Sequence, residues 1–302
     1  MLSFKRAQIS DKAWVDECLR HANSMNCEYT FGNLYIWSTA YNTEICKYKD
    51  FLIVRWGRGK DIKYSLPLGE GDFTDAINAI IDDAKSLGIT PEIYGITEGY
   101  LCLLQEAFTG KFSYSCDDAN SDYIYSVEKM ASLSGKKYHG KRNHITNFKK
   151  NNPNWKFEKI KRENIDECIA LHTRWINDKD PDDEDYSFEF EAVLTAFEHY
   201  EELGFVGGLI RVDGEVIAYT LGEAQMNSKC FVSHIEKAPA DIQGAYAMIN
   251  REFSRHIAEK YPELEFLNRE DDMGEPGLRK AKESYQPTLL LEKCTADLQG
   301  GF

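Results

Sequence analysis

The segment GGLIRVDGEVIAYTLGE, residues 207–223, constrains the fold more tightly than any other stretch of the chain. Apolar residues alternate on both sides of Asp213-Gly214. That dipeptide between alternating runs predicts a two-residue type I′ hairpin, whose central positions both require positive φ. The residues that follow complete a larger unit. CFVSHIEK reads as a strand, and DIQGAYAMINREFSRHIAEKY as a helix in which Ala245, Ile249, Phe253 and Ile257 recur every fourth residue, with Asp241 placed to cap it. LEFLN then reads as a strand, GLRKAKESY as a short helix and PTLLLEKC as a last strand, while RENIDECIALHTRWIND, ahead of the hairpin, is helical.

The first half repeats this order without repeating its residues. DFLIVRWGRGKDIKYSLPLG predicts two strands around a Gly-rich turn. DFTDAINAIIDDAKSLG predicts a helix with Ala76, Ile77, Ile80, Ile81, Ala84 and Leu87 on one face, Asp72 as its cap and Gly88 as its stop. PEIYGIT, GYLCLLQEAF and DYIYSVEKM continue it as strand, helix and strand. The expected fold class is therefore α/β (α+β), a mixed sheet flanked by helices occurring twice. The 302 residues divide into lobes at 1–133 and 155–302, joined by a basic helix at 134–154.

Charge is distributed unevenly. Between Lys136 and Arg162 stand ten basic residues and one acid, Glu158, so this segment carries +9 in a chain of formal net charge −14 and leaves −23 to the remainder. A surface that negative repels polyanions, and a phosphorylated partner has to enter through the basic segment. Asn177–Glu191, NDKDPDDEDYSFEFE, holds eight acids and one lysine; it reads as a selector of a cationic amine or as a solvated loop. No stretch approaches the roughly 20 apolar residues of a membrane span, and MLSFKRAQISDKAW has no apolar signal-peptide core, so a cytoplasmic location is expected. The eight cysteines include no CxxC pair, which suggests neither zinc nor a disulfide framework, and most of them are expected as reduced core residues. HExxH, GxSxG, GxGxxG and Walker A patterns are absent, and no metal ligand set is assigned.

The order of elements in the second half resembles the GNAT-type acyltransferase fold. Three segments, KKYHGKRNHITNFKK, GAYAMINREF and NREDDMGEPGLRKAKESYQP, together resemble the bacterial family related to the C-terminal domain of phosphatidylglycerol lysyltransferase. That family consists of tandem GNAT-like proteins akin to the peptidoglycan-bridge aminoacyltransferases. The resemblance implies an N-acyltransferase whose activated donor lies between two central strands; no cofactor is assigned beyond that donor substrate, aminoacyl-tRNA or acyl-CoA.

Transfer to an amine needs a bound donor, a proton acceptor and dipoles at the developing oxyanion. The resemblance places donor phosphates on the helix start at Gln243, Gly244, Ala245 and Tyr246, where free N–H groups and the helix dipole favour anions. It places the proton acceptor at Glu236 or Glu223. His234, two residues before Glu236, is expected on the same strand face. Asp271 joins them as a catalytic candidate. At the strand end and turn after it, Asn268, Arg269, Glu270, Asp272, Arg279, Lys282 and Tyr285 are substrate-binding candidates, the acids Glu270, Asp271 and Asp272 to hold the amine and Arg279 and Lys282 to hold a phosphate or carboxylate; alternatively the acids and bases pair with one another. Lys136, His139, Lys141, Arg142, Asn143 and His144 are expected in a groove between the lobes, where the mixture of charge with Tyr138, Phe148 and Trp155 fits a phosphorylated, base-bearing donor. Acetyltransferases of this fold often carry a tyrosine within the helix that here reads Arg279-Lys280-Ala281-Lys282. The departure points toward aminoacyl-tRNA as donor, with a small or peptidic amine as acceptor. Acyl-CoA as donor, and a non-catalytic protein that binds a phosphorylated ligand, are the alternatives.

Overall fold

The computed structural model describes residues 2–22, 24–177 and 184–300. Fourteen strands follow one another as β1 Glu44–Tyr48, β2 Phe51–Trp56, β3 Lys63–Ser65, β4 Leu68–Gly69, β5 Glu92–Ile96, β6 Phe112–Cys116 and β7 Asp122–Ser126, then β8 Lys156–Lys159, β9 Val206–Val212, β10 Glu215–Ala224, β11 Cys230–Lys237, β12 Phe266–Asn268, β13 Leu289–Leu291 and β14 Cys294–Leu298. They form two seven-stranded sheets, ordered β1-β2-β3-β5-β14-β6, with β4 on β2, and β13-β7-β12-β11-β10-β9-β8. The helices used below are α1 Lys12–Leu19, α2 Phe31–Ile36, α3 Phe73–Ser86, α4 Glu98–Ala107, α5 Val127–Ser132, α6 His139–Asn151, α7 Ile165–Asn177, α8 Glu184–Glu198, α9 Tyr200–Leu203, α10 Ala245–Lys260 and α11 Pro276–Glu283.

Each sheet contains one parallel pair bridged by a helix, β3-α3-β5 in the first and β11-α10-β12 in the second; the other pairings are antiparallel. The Asp213-Gly214 hairpin forms as its sequence predicts, with φ of +50° and +93° at the two turn residues. The first helix of the βαβ unit is also as expected: Asp72 accepts a hydrogen bond from the Asp75 amide at its start, and Gly88 ends it at φ +70°. One apolar core runs through both sheets, from Ile53 and Ile80 to Leu209, Tyr219 and Ile235.

The sheets exchange a strand. After β6 the chain leaves the first sheet and inserts β7 between β12 and β13 of the second. After β13 it returns and inserts β14 between β5 and β6 of the first. A boundary at 133/134 therefore does not follow sheet membership, because Asp122–Ser126 belongs to the second sheet and Cys294–Leu298 to the first. PTLLLEKC likewise supplies parts of two strands in different sheets. Periodicity marks a segment as a strand but carries no information about which of two similar sheets it joins.

The exchange brings together two cysteines 178 residues apart. Cys116 at the end of β6 and Cys294 at the start of β14 are directly paired across the ladder and form a disulfide. This corrects the expectation that no disulfide forms, while most of the cysteines are, as expected, reduced core residues. The six others are free, and all but Cys102 are buried. The cap expected at Asp241 is also corrected: α10 starts later, with Gly244 at its N-cap in the left-handed region at φ +87°. Here α6 crosses closely enough that a Cβ on Gly244 would lie 2.6 Å from the His144 carbonyl oxygen.

Candidate active site between two diverging strands

The parallel ladder between β11 and β12 is short. It runs from Cys230↔Phe266 to Val232↔Asn268, after which β11 continues to Lys237 beside β10 alone. The chain beyond β12 turns away through Glu270 at φ +58°. The result is a wedge at the carboxyl end of the parallel pair, beside the start of α10, the position where open α/β sheets place ligands.

Three side chains meet in the wedge. Arg269 Nη2 donates to Glu236 Oε1 at 2.8 Å, and Asn250 Nδ2, from the second turn of α10, donates to Glu236 Oε2 at 3.1 Å. Glu236 thus presents a carboxylate held from both sides. Among the described residues, Arg269 Nη1 and Asn250 Oδ1 are buried polar atoms without a hydrogen-bond partner. A second cation joins them: Lys141 of α6 places Nζ 3.5 Å from the ring centroid of Tyr285, and Arg269 lies 5.0 Å from the same ring. Burial and the neighbouring Arg269 charge lower the Lys141 ammonium to about 8. Tyr246, in the first turn of α10, is 39% exposed.

His234 does not share the face of Glu236. The β10–β11 register passes from Leu221↔Ile235 to Gly222↔Ser233, so His234 is the extra residue of a β-bulge. A bulge re-aims a side chain. Here Ser233 faces Thr220, Oγ to Oγ1 at 3.0 Å, and His234 turns toward the other lobe. Its Nε2 lies 3.1 Å from Glu223 Oε1 and its Nδ1 2.9 Å from Glu270 Oε1. Burial opposes the imidazolium, but hydrogen bonds to the two carboxylates overcome that penalty and raise it to about 9. Both ring nitrogens then donate. The first lobe closes over this chain through Gly32 of α2, where a Cβ would stand 2.2 Å from Glu223 Oε1.

The turn after β12 pairs internally. Arg279 donates from Nε and Nη2 to Asp272 at 2.8 and 3.1 Å, Tyr123 donates to the same carboxylate at 2.6 Å, and this set holds Asp272 down at about 2, the Arg279 hydrogen bond being the largest cause. Lys282 Nζ donates to the carbonyls of Arg269, Glu270 and Asp271. Asp271 and Asp122 flank the buried ammonium of Lys293. Asn268 joins the two groups, donating to Asp122 Oδ2 at 2.8 Å and accepting from the Glu270 amide at 2.6 Å. Of the pairing posed by the sequence, Asp272 with Arg279 forms across the turn, whereas Glu270 bonds to His234, Asp271 to Lys293 and Arg269 to Glu236, all outside it.

The candidate donor residues separate. Lys141 reaches the wedge. Arg142 Nη1 instead caps the Leu133 and Gly135 carbonyls at 2.5 and 2.7 Å. Lys136, His139, Asn143 and His144 are exposed. Because Tyr138, Ile145 and Phe148 pack α6 against Ala245, Met248 and Ile249 of α10, the basic helix lies on the second lobe beside the wedge. Gln243 is exposed, and Ala245 is buried under α6. Of the acidic segment, residues 178–183 lie outside the described residues, and the part from Glu184 on belongs to α8.

Sequence pattern alone does not single out Asn250, Lys293, Asp122 or Glu28. The available signal was polarity out of place: Asn250 directly follows Ala247, Met248 and Ile249 in the helix pattern, and Lys293 stands between the apolar run Leu289–Leu291 and Cys294. In the first lobe, the helix start equivalent to that of α10 carries Asp72 and Asp75, which disfavour an anion there.

A search of solved structures finds a conserved protein of unknown function from Bacteroides thetaiotaomicron, 34% identical over 99% of this chain and 100% of that one, with a TM-score of 0.92. L-PGS from Bacillus licheniformis is 17% identical over 85% of this chain and 84% of its own, with a TM-score of 0.60. A tandem GNAT protein from the clavulanic acid biosynthesis pathway aligns over the full length of both chains at 8% identity and a TM-score of 0.51. These likenesses establish the tandem GNAT-like fold. Among curated proteins, an uncharacterised protein of Mycoplasmoides gallisepticum is 25% identical over 188 residues; the match takes in 58% of this chain and 56% of that protein, so the chain spans about half the length of this relative. The sequence model described as phosphatidylglycerol lysyltransferase, C-terminal, matches residues 20–296, and with two mixed sheets and a wedge in the second, the chain belongs to that family.

Proposed function

We propose that this chain transfers an aminoacyl group from aminoacyl-tRNA to a small or peptidic amine, with the reacting ester in the wedge between β11 and β12. One observation carries the reading: the ladder ends at Val232↔Asn268, and Glu236, Arg269 and Asn250 converge in the opening beyond it. Glu236 takes the proton from the attacking nitrogen as the new C–N bond forms. The ester C–O bond breaks, and the proton passes to the leaving ribose oxygen, so no redox partner or metal enters the balance. Lys141 and Arg269 outnumber Glu236 in charge and favour an anionic donor there, while the exposed Lys136, His139 and His144 extend the basic surface along α6.

Among the described residues, no helix is long and apolar enough to cross a membrane. The experiment is a transfer assay with labelled aminoacyl-tRNA and a panel of amines, beside thermal-shift titrations with charged tRNA, uncharged tRNA and acetyl-CoA. Transfer of label, lost by about 10²-fold or more in Glu236→Gln, is the expected result. Binding should also weaken by roughly 10³-fold across a fourfold rise in salt if about six phosphates are contacted. Stabilisation by acetyl-CoA alone would replace this reading with acyl-CoA chemistry. A flat response to every donor would overturn it.

A further inference from the structure

The two unpartnered atoms in the wedge have opposite hydrogen-bonding character. Asn250 is 3% exposed. Its amide orientation follows from chemistry, because a carboxylate only accepts: the group facing Glu236 Oε2 must be Nδ2, and the remaining atom, Oδ1, is an acceptor. Arg269 has no acceptor atom, so Nη1 is a donor. Both residues are anchored to opposite oxygens of Glu236, which places one unfilled acceptor and one unfilled donor on either side of the same carboxylate. Leaving such atoms unpaired away from water is costly, and a group supplying both partners at once is favoured over one supplying a single partner.

We infer that Asn250 and Arg269 recognise the acyl group itself, with Arg269 Nη1 donating to the ester carbonyl oxygen and Asn250 Oδ1 accepting from the α-amino group, so that the wedge selects α-aminoacyl over simple acyl donors. The inference rests on the aminoacyl-transfer reading above and adds the specificity residues. An acetyl or propionyl group fills the Arg269 position and leaves Asn250 Oδ1 without a donor. A site built to hydrogen-bond a substrate N–H rejects the analogue that lacks it far more strongly than an apolar site distinguishes a methylene.

The test uses the full chain and two hydrolysis-resistant donor analogues, 3′-alanylamino-3′-deoxyadenosine and 3′-propionylamino-3′-deoxyadenosine, which differ only in the α-amino group. Affinities come from calorimetric titration. The wild type is expected to bind the alanyl compound about tenfold tighter or more. Asn250→Leu, checked for folding by circular dichroism, should bind both compounds with the wild-type affinity for the propionyl one. Arg269→Lys should weaken both by a similar factor, since both keep the carbonyl, and it serves as the second variant if Asn250→Leu does not fold. Equal affinity of the wild type for the two compounds, as expected if water alone fills the gap, overturns the inference and leaves aminoacyl transfer standing. Loss of turnover in Asn250→Leu with the alanyl preference intact also overturns it. Binding of neither compound overturns the aminoacyl-tRNA reading, and this inference falls with it.

Discussion

Lys293 Nζ stands 2.8 Å from Asp122 Oδ1 with both side chains fully buried, and the two residues belong to the two segments that cross between the sheets. Asp122 opens β7 as the chain enters the second sheet, and Lys293 lies in the link between β13 and β14 as it returns. Glu28 and Asp271 each add a carboxylate oxygen at 3.3 Å from the same ammonium, and Cys27 donates its amide to Asp122 at 2.8 Å. Burial opposes the charge on Lys293, but Asp122 and its neighbours hold the ammonium well above its ordinary range. The pair therefore ties the crossing point of the exchange to the start of α2 and to the turn after β12.

Removing one member strands the other in a low-dielectric interior. Lys293→Met should lower the free energy of unfolding by about 3–5 kcal/mol. Lys293→Met combined with Asp122→Leu should recover part of that loss, because an apolar pair avoids desolvating a lone charge. Urea denaturation of the three proteins checks this; a loss under about 1 kcal/mol in the single variant would show that the pair does not secure the exchange.

Stability should depend on His234. Its folded value, about 9, lies above the ordinary 6.5, so its contribution is complete below pH 6.5 and is lost as pH climbs through about 9. Linkage sets the size on the order of 3 kcal/mol. Denaturation midpoints at pH 6 and pH 9.5 should differ in the wild type, and His234→Gln should be less stable at pH 6 and show a flatter profile. A wild-type midpoint that stays constant over this range would contradict the Glu223–His234–Glu270 chain.

Donor binding should respond to pH through Lys141. Its ammonium is already lowered to about 8 by burial and Arg269, and an anion placed against it raises it again. Binding then takes up a proton near pH 8, and affinity falls above it, by at most about tenfold per pH unit. Anisotropy titrations with labelled tRNA at constant ionic strength should show this decline in the wild type and not in Lys141→Met. An equal decline in both would assign the effect to another group.

The disulfide offers a further check. Cross-linking residues 178 apart removes freedom from the unfolded chain and typically stabilises by about 2–4 kcal/mol. Reducing agent should lower the melting midpoint of the wild type and leave that of Cys116→Ser unmoved. Equal sensitivity of the two would exclude the Cys116–Cys294 bond as the source.

The sequence by itself determined most of the elements and their order. The Asp213-Gly214 turn, the capped helix α3 and the strand β11 rest on local physics, namely positive φ, a cap acceptor and side-chain period, which a short window contains. Family resemblance pointed to the gap between the two central strands and to Glu236 and Glu223 as candidate proton acceptors. Only tertiary structure decided the partners. Nothing local directs β7 or β14 into the opposite sheet, pairs Cys116 with Cys294, or inserts the bulge that separates His234 from Glu236. These follow from packing between segments far apart in the chain, where register is chosen by which side chains find a core and which buried charges find a counter-charge.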